Sequence, residues 1–317
     1  MPSQNEAGKA FEYALLKQSY ELISDNQSIN IIENSSFHIA QNCFNLFSEN
    51  EQTKYLKAAT AAIKHLVELE PRLEYPNSSK DVLTLQIVAD AAGIKGDVRD
   101  VIFIRSTQNW EIGISAKNNN KAVKHSRLSD RIDFGKEWLN LNCSETYFNT
   151  VIPIFTELRQ LKAKNKLWCD LTDKHKRFYI PILEAFKIEL LRLDKANSNI
   201  VPSILLNYLI GNKDFYKVIK RPNKTEIYGF NLHGSLNKSA EKIKPTFKVS
   251  HLKLPARIIE LSLKPNSTDT VILTCDEGWQ ISFRIHNASS RVEPSLKFDI
   301  NIVGQPQTLY SHHMVWD

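Results

Sequence analysis

The sequence predicts an α/β chain whose mixed front part carries a mainly β tail. Three observations support this. Two long segments near the N-terminus repeat apolar residues at helical spacing. One central stretch has the pattern of a β-hairpin. Beyond about Lys248 the chain changes to short alternating runs rich in β-branched residues.

Taken in order, Phe11, Leu15 and Leu22 recur near helical spacing in NEAGKAFEYALLKQSYELIS, which predicts a first helix. SENEQTKYLKAATAAIKHLVELEPRLE predicts a second, with polar capping residues ahead of it and Pro71 closing it. DVLTLQIVADAAG is apolar and fits either a strand or a helix. GDVRDVIFIRSTQNWEIGISAKNNN, from Gly96 to Asn120, is the hairpin-like stretch: an acidic start, an apolar run, a polar turn and a second alternating run. From about Gly135 to Leu193 the pattern is mostly helical, centred on TVIPIFTELRQL and YIPILEAFKIELLRL. ARIIELSL, TDTVILTC, WQISFRIHN and SLKFDINIVG then predict strands. A boundary is expected within residues 195–225, separating 1–200 from a basic, β-rich region at 201–317.

The chain has 317 residues, 42% hydrophobic and 24% charged, which suits a soluble globular protein of one large or two ordinary domains. It lacks the run of about 18 apolar residues needed for a membrane helix. MPSQNEAGKAFEYALL lacks the basic and apolar segments of a signal peptide. Cys43, Cys143, Cys169 and Cys275 are far apart and form no CxxC pair, so zinc and a disulfide framework are not expected. Four reduced thiols in a cytoplasmic protein are. Net charge is +6, and Gly211–Arg257 alone contributes +8, with eleven Lys or Arg against Asp214, Glu226 and Glu241. A local excess of this kind attracts phosphates or forms a lysine-rich solvated surface. HExxH, P-loop, GxSxG and Rossmann signatures are absent, which argues against ATP-driven or covalent-nucleophile chemistry and against a nucleotide cofactor.

With Val101–Ser106 and Trp110–Lys117 as strands, Asp100 is expected across from Ala116 or Lys117. Alternation puts Glu111, Gly113, Ser115 and Lys117 on one face and Ile112, Ile114 and Ala116 on the other. Glu111 is about 20 Å from Lys117 along a strand rising roughly 3.3 Å per residue, too far to share a site with it. An Asp beside a Lys at the end of a sheet suits phosphodiester hydrolysis. The carboxylate is a hard oxygen ligand for Mg2+. The metal orients water and stabilises charge on the phosphate, and the lysine can do the same. On spacing alone, an exposed Asp–Lys ion pair on a surface hairpin is the commoner arrangement.

Asp100 and Lys117, with the lysine ending Ser-Ala-Lys after an apolar strand, resemble the PD-(D/E)xK nuclease core. KGDVRDVIFIR…WEIGISAKNNNKAVKHSRLSDRIDFG and GWQISFRIHNASSRVEPSLKFDINIVGQP are more specific. They resemble the HaeIII-type family of type II restriction endonucleases, over essentially the whole chain. The resemblance implies a restriction-endonuclease-like core, a central mixed sheet flanked by helices, with a mainly β C-terminal part. It implies Mg2+-dependent, sequence-specific cleavage of double-stranded DNA at GGCC. A palindromic target suits a symmetric homodimer.

One position departs from the pattern: Ser115 stands where the core motif carries its second carboxylate. The missing donor is then expected from elsewhere. Glu12, after a Gly-x-x-Phe pattern in GKAFEYALL, is the first candidate, with an exposed helix glutamate as its other reading. Asp97 is the second, as a ligand or a turn residue. The Ala116 carbonyl is a further candidate metal contact, and Ser115 would support the site through a bound water. The same core would also serve a structure-specific repair nuclease. Ser115 would equally suit a non-catalytic DNA-binding protein.

NNNKAVKHSRLSD follows the core and is expected to be a helix or loop facing the duplex. Asn118, Asn119, Lys121, Lys124, His125 and Arg127 are its candidate DNA contacts, against the alternative of a solvated basic helix. In FRIHNASSRVEPSLKFD, Arg284, His286, Asn287, Ser289, Ser290 and Arg291 end an alternating strand and are candidates for base recognition. The alternative is a loop whose Asn and Ser satisfy their own backbone. His312 and His313, adjacent on a strand, face opposite sides and are expected to be structural.

Overall fold

The computed structural model describes residues 2–89, 96–119 and 123–316. The chain folds into two compact units. Unit 1 comprises Met1–Lys121, Asn212–Leu252 and Thr308–Asp317; unit 2 comprises Ala122–Gly211 and Lys253–Gln307.

Unit 1 is built on a seven-stranded mixed sheet in the order β1-β2-β3-β4-β6-β7-β12. The strands are β1 (Ile29–Ile32), β2 (Leu83–Ile87), β3 (Val101–Arg105), β4 (Trp110–Asn118), β6 (Phe215–Lys220), β7 (Lys224–Phe230) and β12 (Tyr310–Val315). β1 with β2 and β4 with β6 are parallel, and the remaining neighbours are antiparallel. Helices α1 (Gln4–Ile23), α2 (Ser35–Asn45) and α3 (Glu49–Leu69) cover it. α1 and α3 each open on a capping box, Ser3 with Glu6 and Ser48 with Glu51, which satisfies donors the first turn leaves unpaired. Phe11 and Leu15 of α1 and Ile63 and Leu66 of α3 share one core with Leu85, Phe103, Ile112, Ile114, Val218 and Ile227. The ambiguous apolar segment is β2, and its residues beyond Ala89 lie outside the described residues.

Unit 2 is built on a five-stranded antiparallel sheet in the order β5-β11-β10-β9-β8. Its strands are β5 (Lys124–Leu128), β8 (Ile258–Leu263), β9 (Thr270–Cys275), β10 (Gln280–His286) and β11 (Leu296–Gly304). The helices are α4 (Phe134–Leu139), α5 (Glu145–Ala163), α6 (Ile180–Ala196) and α7 (Val201–Ile210). Phe134, Phe186, Phe283 and Phe298 meet in its interior with ring centroids 5.0–5.6 Å apart. No described helix is long and apolar enough to cross a membrane.

The expected division into 1–200 and 201–317 differs from the observed one. β6, β7 and β12 complete the sheet of unit 1, while β8–β11 build that of unit 2. Only the crossing at Gly211–Asn212 falls in the predicted 195–225 window. Composition reports where strands begin, and which sheet each strand joins is settled by long-range pairing. The segment expected as a helix or loop after the hairpin contains β5, held by β11 with His125 opposite Asp299.

Candidate active site

The site begins at the β3–β4 hairpin of unit 1. Ser106–Gln108 form a single 3-10 turn closed by Asn109 at φ 47°, a left-handed position that Asn tolerates. Residues 106–109 all lie outside the ladder, so Arg105 pairs with Trp110 and Val101 with Ile114. Asp100 donates its N–H to the Ile114 carbonyl at 2.7 Å. Continuing this register sets Asp100 across from Ser115, short of the expected Ala116 or Lys117.

The side chain of Asp100 makes up that difference. Its Oδ2 accepts from the Ala116 N–H at 2.7 Å, the Lys117 ammonium at 3.2 Å and the Ser115 hydroxyl at 3.5 Å. None of these donors reaches Oδ1. Lys117 and Asp100 stay partly open to solvent, with side chains 30% and 21% exposed.

α1 packs against β4, and this brings in Glu12. That residue is 5% exposed and accepts from the Lys9 ammonium at 3.0 Å. Burial pushes its carboxyl up to about 8, and the negative charge of Asp100 adds to the rise. Lys9 and Lys117 act in the opposite direction. Glu12 therefore feels the charge of Asp100 from a distant part of the sequence. No group of three or more His, Cys, Asp or Glu comes together among the described residues.

Asp97 does not join them. Arg99 grips both of its oxygens, Nε to Oδ1 at 2.8 Å and Nη2 to Oδ2 at 2.6 Å. Its Nη1 holds Glu111 at 2.6 Å. Arg99 lies so close over Gly113 that a Cβ there would stand 2.4 Å from its Cδ. Asp97 is thus a partner of a buried guanidinium and stands apart from the Asp100–Lys117 pair.

Beyond Lys117, Asn118 donates through Nδ2 to the Tyr55 hydroxyl at 3.4 Å, and its Oδ1 is buried without a partner. The Lys220 ammonium lies 4.8 Å from the centre of the Tyr55 ring, and burial lowers its pKa. Asn119, at φ 58°, donates its N–H to the Lys220 carbonyl at 2.9 Å and accepts from Arg221 at 2.8 Å. Lys9, Tyr55 and Lys220 carried no local sequence signal. They matter because of what the sheet and helices place beside them.

The remaining candidates lie in unit 2, apart from Lys121, which is outside the described residues. Lys124 turns inward. Its ammonium sits 3.4 Å from the centre of the Tyr208 ring and donates to the Tyr208 carbonyl at 2.8 Å. Burial pushes its pKa down to about 8. His125 and Arg127 face outward on the other side of β5. His125 meets Asp299 at 2.8 Å, and Arg127 meets Glu293 at 2.7 Å and Ser295 at 2.9 Å. Lys124 and Arg127 therefore do not share a face, because the segment is a strand and not a helix.

Arg284 is 57% exposed, with Asp269 and Asp299 at 3.8 and 3.9 Å, and His286 lies 3.2 Å from Asp299. Asn287 and Ser289 are spent on the loop itself. Asn287 donates to the carbonyls of Ser289 and Arg291 and accepts from the Glu293 N–H, while Ser289 donates to the Arg291 carbonyl. These bonds hold the loop in shape, as the alternative reading of the stretch expects. Ser290 accepts the Trp168 N–H through its carbonyl, and Arg291 is exposed, reaching Asn165 at 3.4 Å. His312 and His313 of β12, in unit 1, pack on opposite sides. His312 stacks on His65 at 4.1 Å and His313 meets the Tyr228 edge at 6.3 Å.

The family model for HaeIII restriction endonuclease matches residues 8–306. The chain is similar to the type II restriction enzyme HaeIII of Haemophilus aegyptius, 44% identical over 99% of this chain and 98% of that protein. No solved structure matches it. The resemblance seen in the hairpin and in the tail extends along the chain, which belongs to the HaeIII restriction endonuclease family.

Proposed function

We propose that this protein cleaves both strands of a DNA duplex at a short palindrome, GGCC, with Mg2+ as cofactor. Family membership makes it a type II site-specific deoxyribonuclease. The observation that carries the chemical reading is the end of β4, where Asp100 and Lys117 are joined and Glu12 is drawn in from α1.

The donor set fits a hard divalent cation. Burial and the charge of Asp100 both raise the cost of ionising Glu12, and a cation between oxygen ligands removes that cost. Asp100, through the oxygen its donors leave open, and Glu12 would hold the ion, together with the Ala116 carbonyl. Bound there, Mg2+ supplies charge neutralisation at the phosphate and a more acidic water.

The chain's own groups do the rest. The Ala116 N–H and Ser115 hydroxyl fix the Asp100 carboxylate, so no reorganisation is needed when substrate arrives. Lys9 fixes Glu12 in the same way. Lys117 is the mobile charge. It is partly exposed and bound to Asp100 by one contact, so it can turn to the phosphate and stabilise the charge that develops there. Arg284 and Arg291, with His125 and Arg127, are the outward side chains of unit 2 that support contact with the duplex. A palindrome read by two copies suits a homodimer, and a restriction enzyme has its substrate in the cytoplasm.

The test is to incubate the purified protein with a sequenced plasmid, in Mg2+ or in EDTA, and to map every fragment end. Discrete ends at the centre of GGCC, only with Mg2+, are expected. Ends at another palindrome would remove the target. Smeared or structure-dependent cutting would remove the restriction reading, and cutting in EDTA would remove the metal.

A further inference from the structure

Unit 2 carries a basic surface that the sequence motifs do not mark. Between Leu158 and Cys169 the chain holds Arg159, Lys162, Lys164 and Lys166 and no acid. These residues end α5 and lead out of it. The exit is sharp. Asn165 adopts φ 53°, its N–H bonds the Lys162 carbonyl at 2.8 Å, and the Lys166 N–H reaches back to Leu161 at 3.2 Å. That double closure caps the helix with an asparagine where glycine is more common.

The turn throws residues 166–168 against the loop that follows β10. Trp168 donates its N–H to the Ser290 carbonyl at 2.8 Å and Val292 donates to the Lys166 carbonyl at 3.0 Å, with Leu167 bridged to Arg291. Asn287 and Ser289 brace the loop from inside. The helix end and the loop are therefore one platform.

Beside the platform lies a cavity of about 670 Å³, lined by Arg131, Arg159, Lys162, Asn165 and Ser295, with Asp130 its one acid. Arg159 pairs with Asp130 and neutralises it. Arg131 and Lys162 are exposed and add two positive charges that no acid of the cavity offsets. Asn165 is oriented by the Arg291 guanidinium on its Oδ1. Arg127 stands at the Ser295 wall.

We propose that this cavity and its basic rim are a duplex-binding cleft, in which Arg131 and Lys162 take backbone phosphates and Asn165 presents its amide to a base edge. The inference rests on the nuclease reading above and names residues which that reading does not. Solvated, unpaired cations beside a concave surface are the usual phosphate contacts. A braced amide that both donates and accepts is suited to base edges.

The test is equilibrium binding by the full chain, in EDTA, to a GGCC duplex and to a duplex of equal length without it, across a KCl series. Arg131→Gln and Lys162→Gln should each weaken binding to both duplexes roughly tenfold and reduce the salt slope by about one. Asn165→Gly keeps the positive φ, so the fold is retained. It should leave the salt slope unchanged and cut the preference for GGCC about tenfold. Wild-type affinity and slope in both charge variants would overturn the cleft, and an unchanged preference in Asn165→Gly would overturn its role. Melting temperatures equal to that of the wild type establish that the variants are folded. Wild-type protein that binds duplex and cuts none defeats the nuclease reading alone, because the salt slopes decide the cleft in either case.

Discussion

At the end of β4 in unit 1, charged groups are pressed against one another: Glu12 is buried under Lys9, Asp100 takes three donors on one oxygen, and Lys220 lies against Tyr55. At the end of α5 in unit 2, Lys162, Lys164 and Lys166 stand in water. On the proposed reading, the contrast separates two uses of charge. Chemistry at a phosphorus atom needs groups held in place and partly dehydrated, where their fields are strong. Attraction to a duplex needs solvated cations that displace counterions, and it tolerates mobility. Lys124 shows that unit membership alone does not decide the matter, because it is buried on Tyr208 inside unit 2.

The sharpest way to break this comparison is to remove the fixed charges of unit 1. Asp100→Asn or Lys117→Met should lower the single-turnover cleavage rate about a thousandfold or more, while duplex affinity in EDTA changes little. Loss of binding in parallel with the rate would show that unit 1 also supplies the attraction.

Next is the acidity of Glu12. Its carboxyl is raised on folding from 4.5 to about 8, so the folded protein takes up a proton between those values. Stability of the metal-free protein should therefore fall as pH rises through that window, by up to about 5 kcal/mol. Glu12→Gln should flatten the dependence, and Mg2+ should restore stability at the alkaline end. Urea unfolding from pH 4.5 to 8.5 measures all three.

A smaller effect is expected at the other end of β4. Gly113→Ala must displace Arg99 and with it the grip on Asp97 and Glu111, at a cost of about 1–3 kcal/mol in urea unfolding. The smallest is at Lys124. Lys124→Met should leave the salt dependence of duplex binding unchanged, because the ammonium is already spent on Tyr208. A reduced slope would place it among the solvated cations after all.

Much of this was legible in the sequence. The two long N-terminal helices, the hairpin, the helical middle and the tail strands follow from local periodicity and capping, and all are present. Asp100 and Lys117 meet because a hairpin turns sequence spacing into adjacency. What failed depended on distance along the chain or on a single turn. Register slipped because all of residues 106–109 stay outside the ladder. β5 was hidden because its polar pattern has no apolar run and its partner, β11, lies far along the chain. The grip of Arg99 on Asp97, made by folding back over Gly113, has no local pattern to announce it. Lys9 and Lys220 have no motif of their own, and only tertiary packing gives them a place in the site.

The interleaving of the two units has a consequence for how such enzymes can change. The chain passes between the units at four junctions, after Lys121, Gly211, Leu252 and Gln307. If unit 2 reads the target, as proposed above, a new specificity cannot be acquired by joining one gene segment to another at a single splice. Both stretches of unit 2 would have to be replaced together, with every junction in register, and the final strand, β12, must still return to pair with β7. Variation by point substitution on the exposed rim of unit 2 is the route this architecture leaves open.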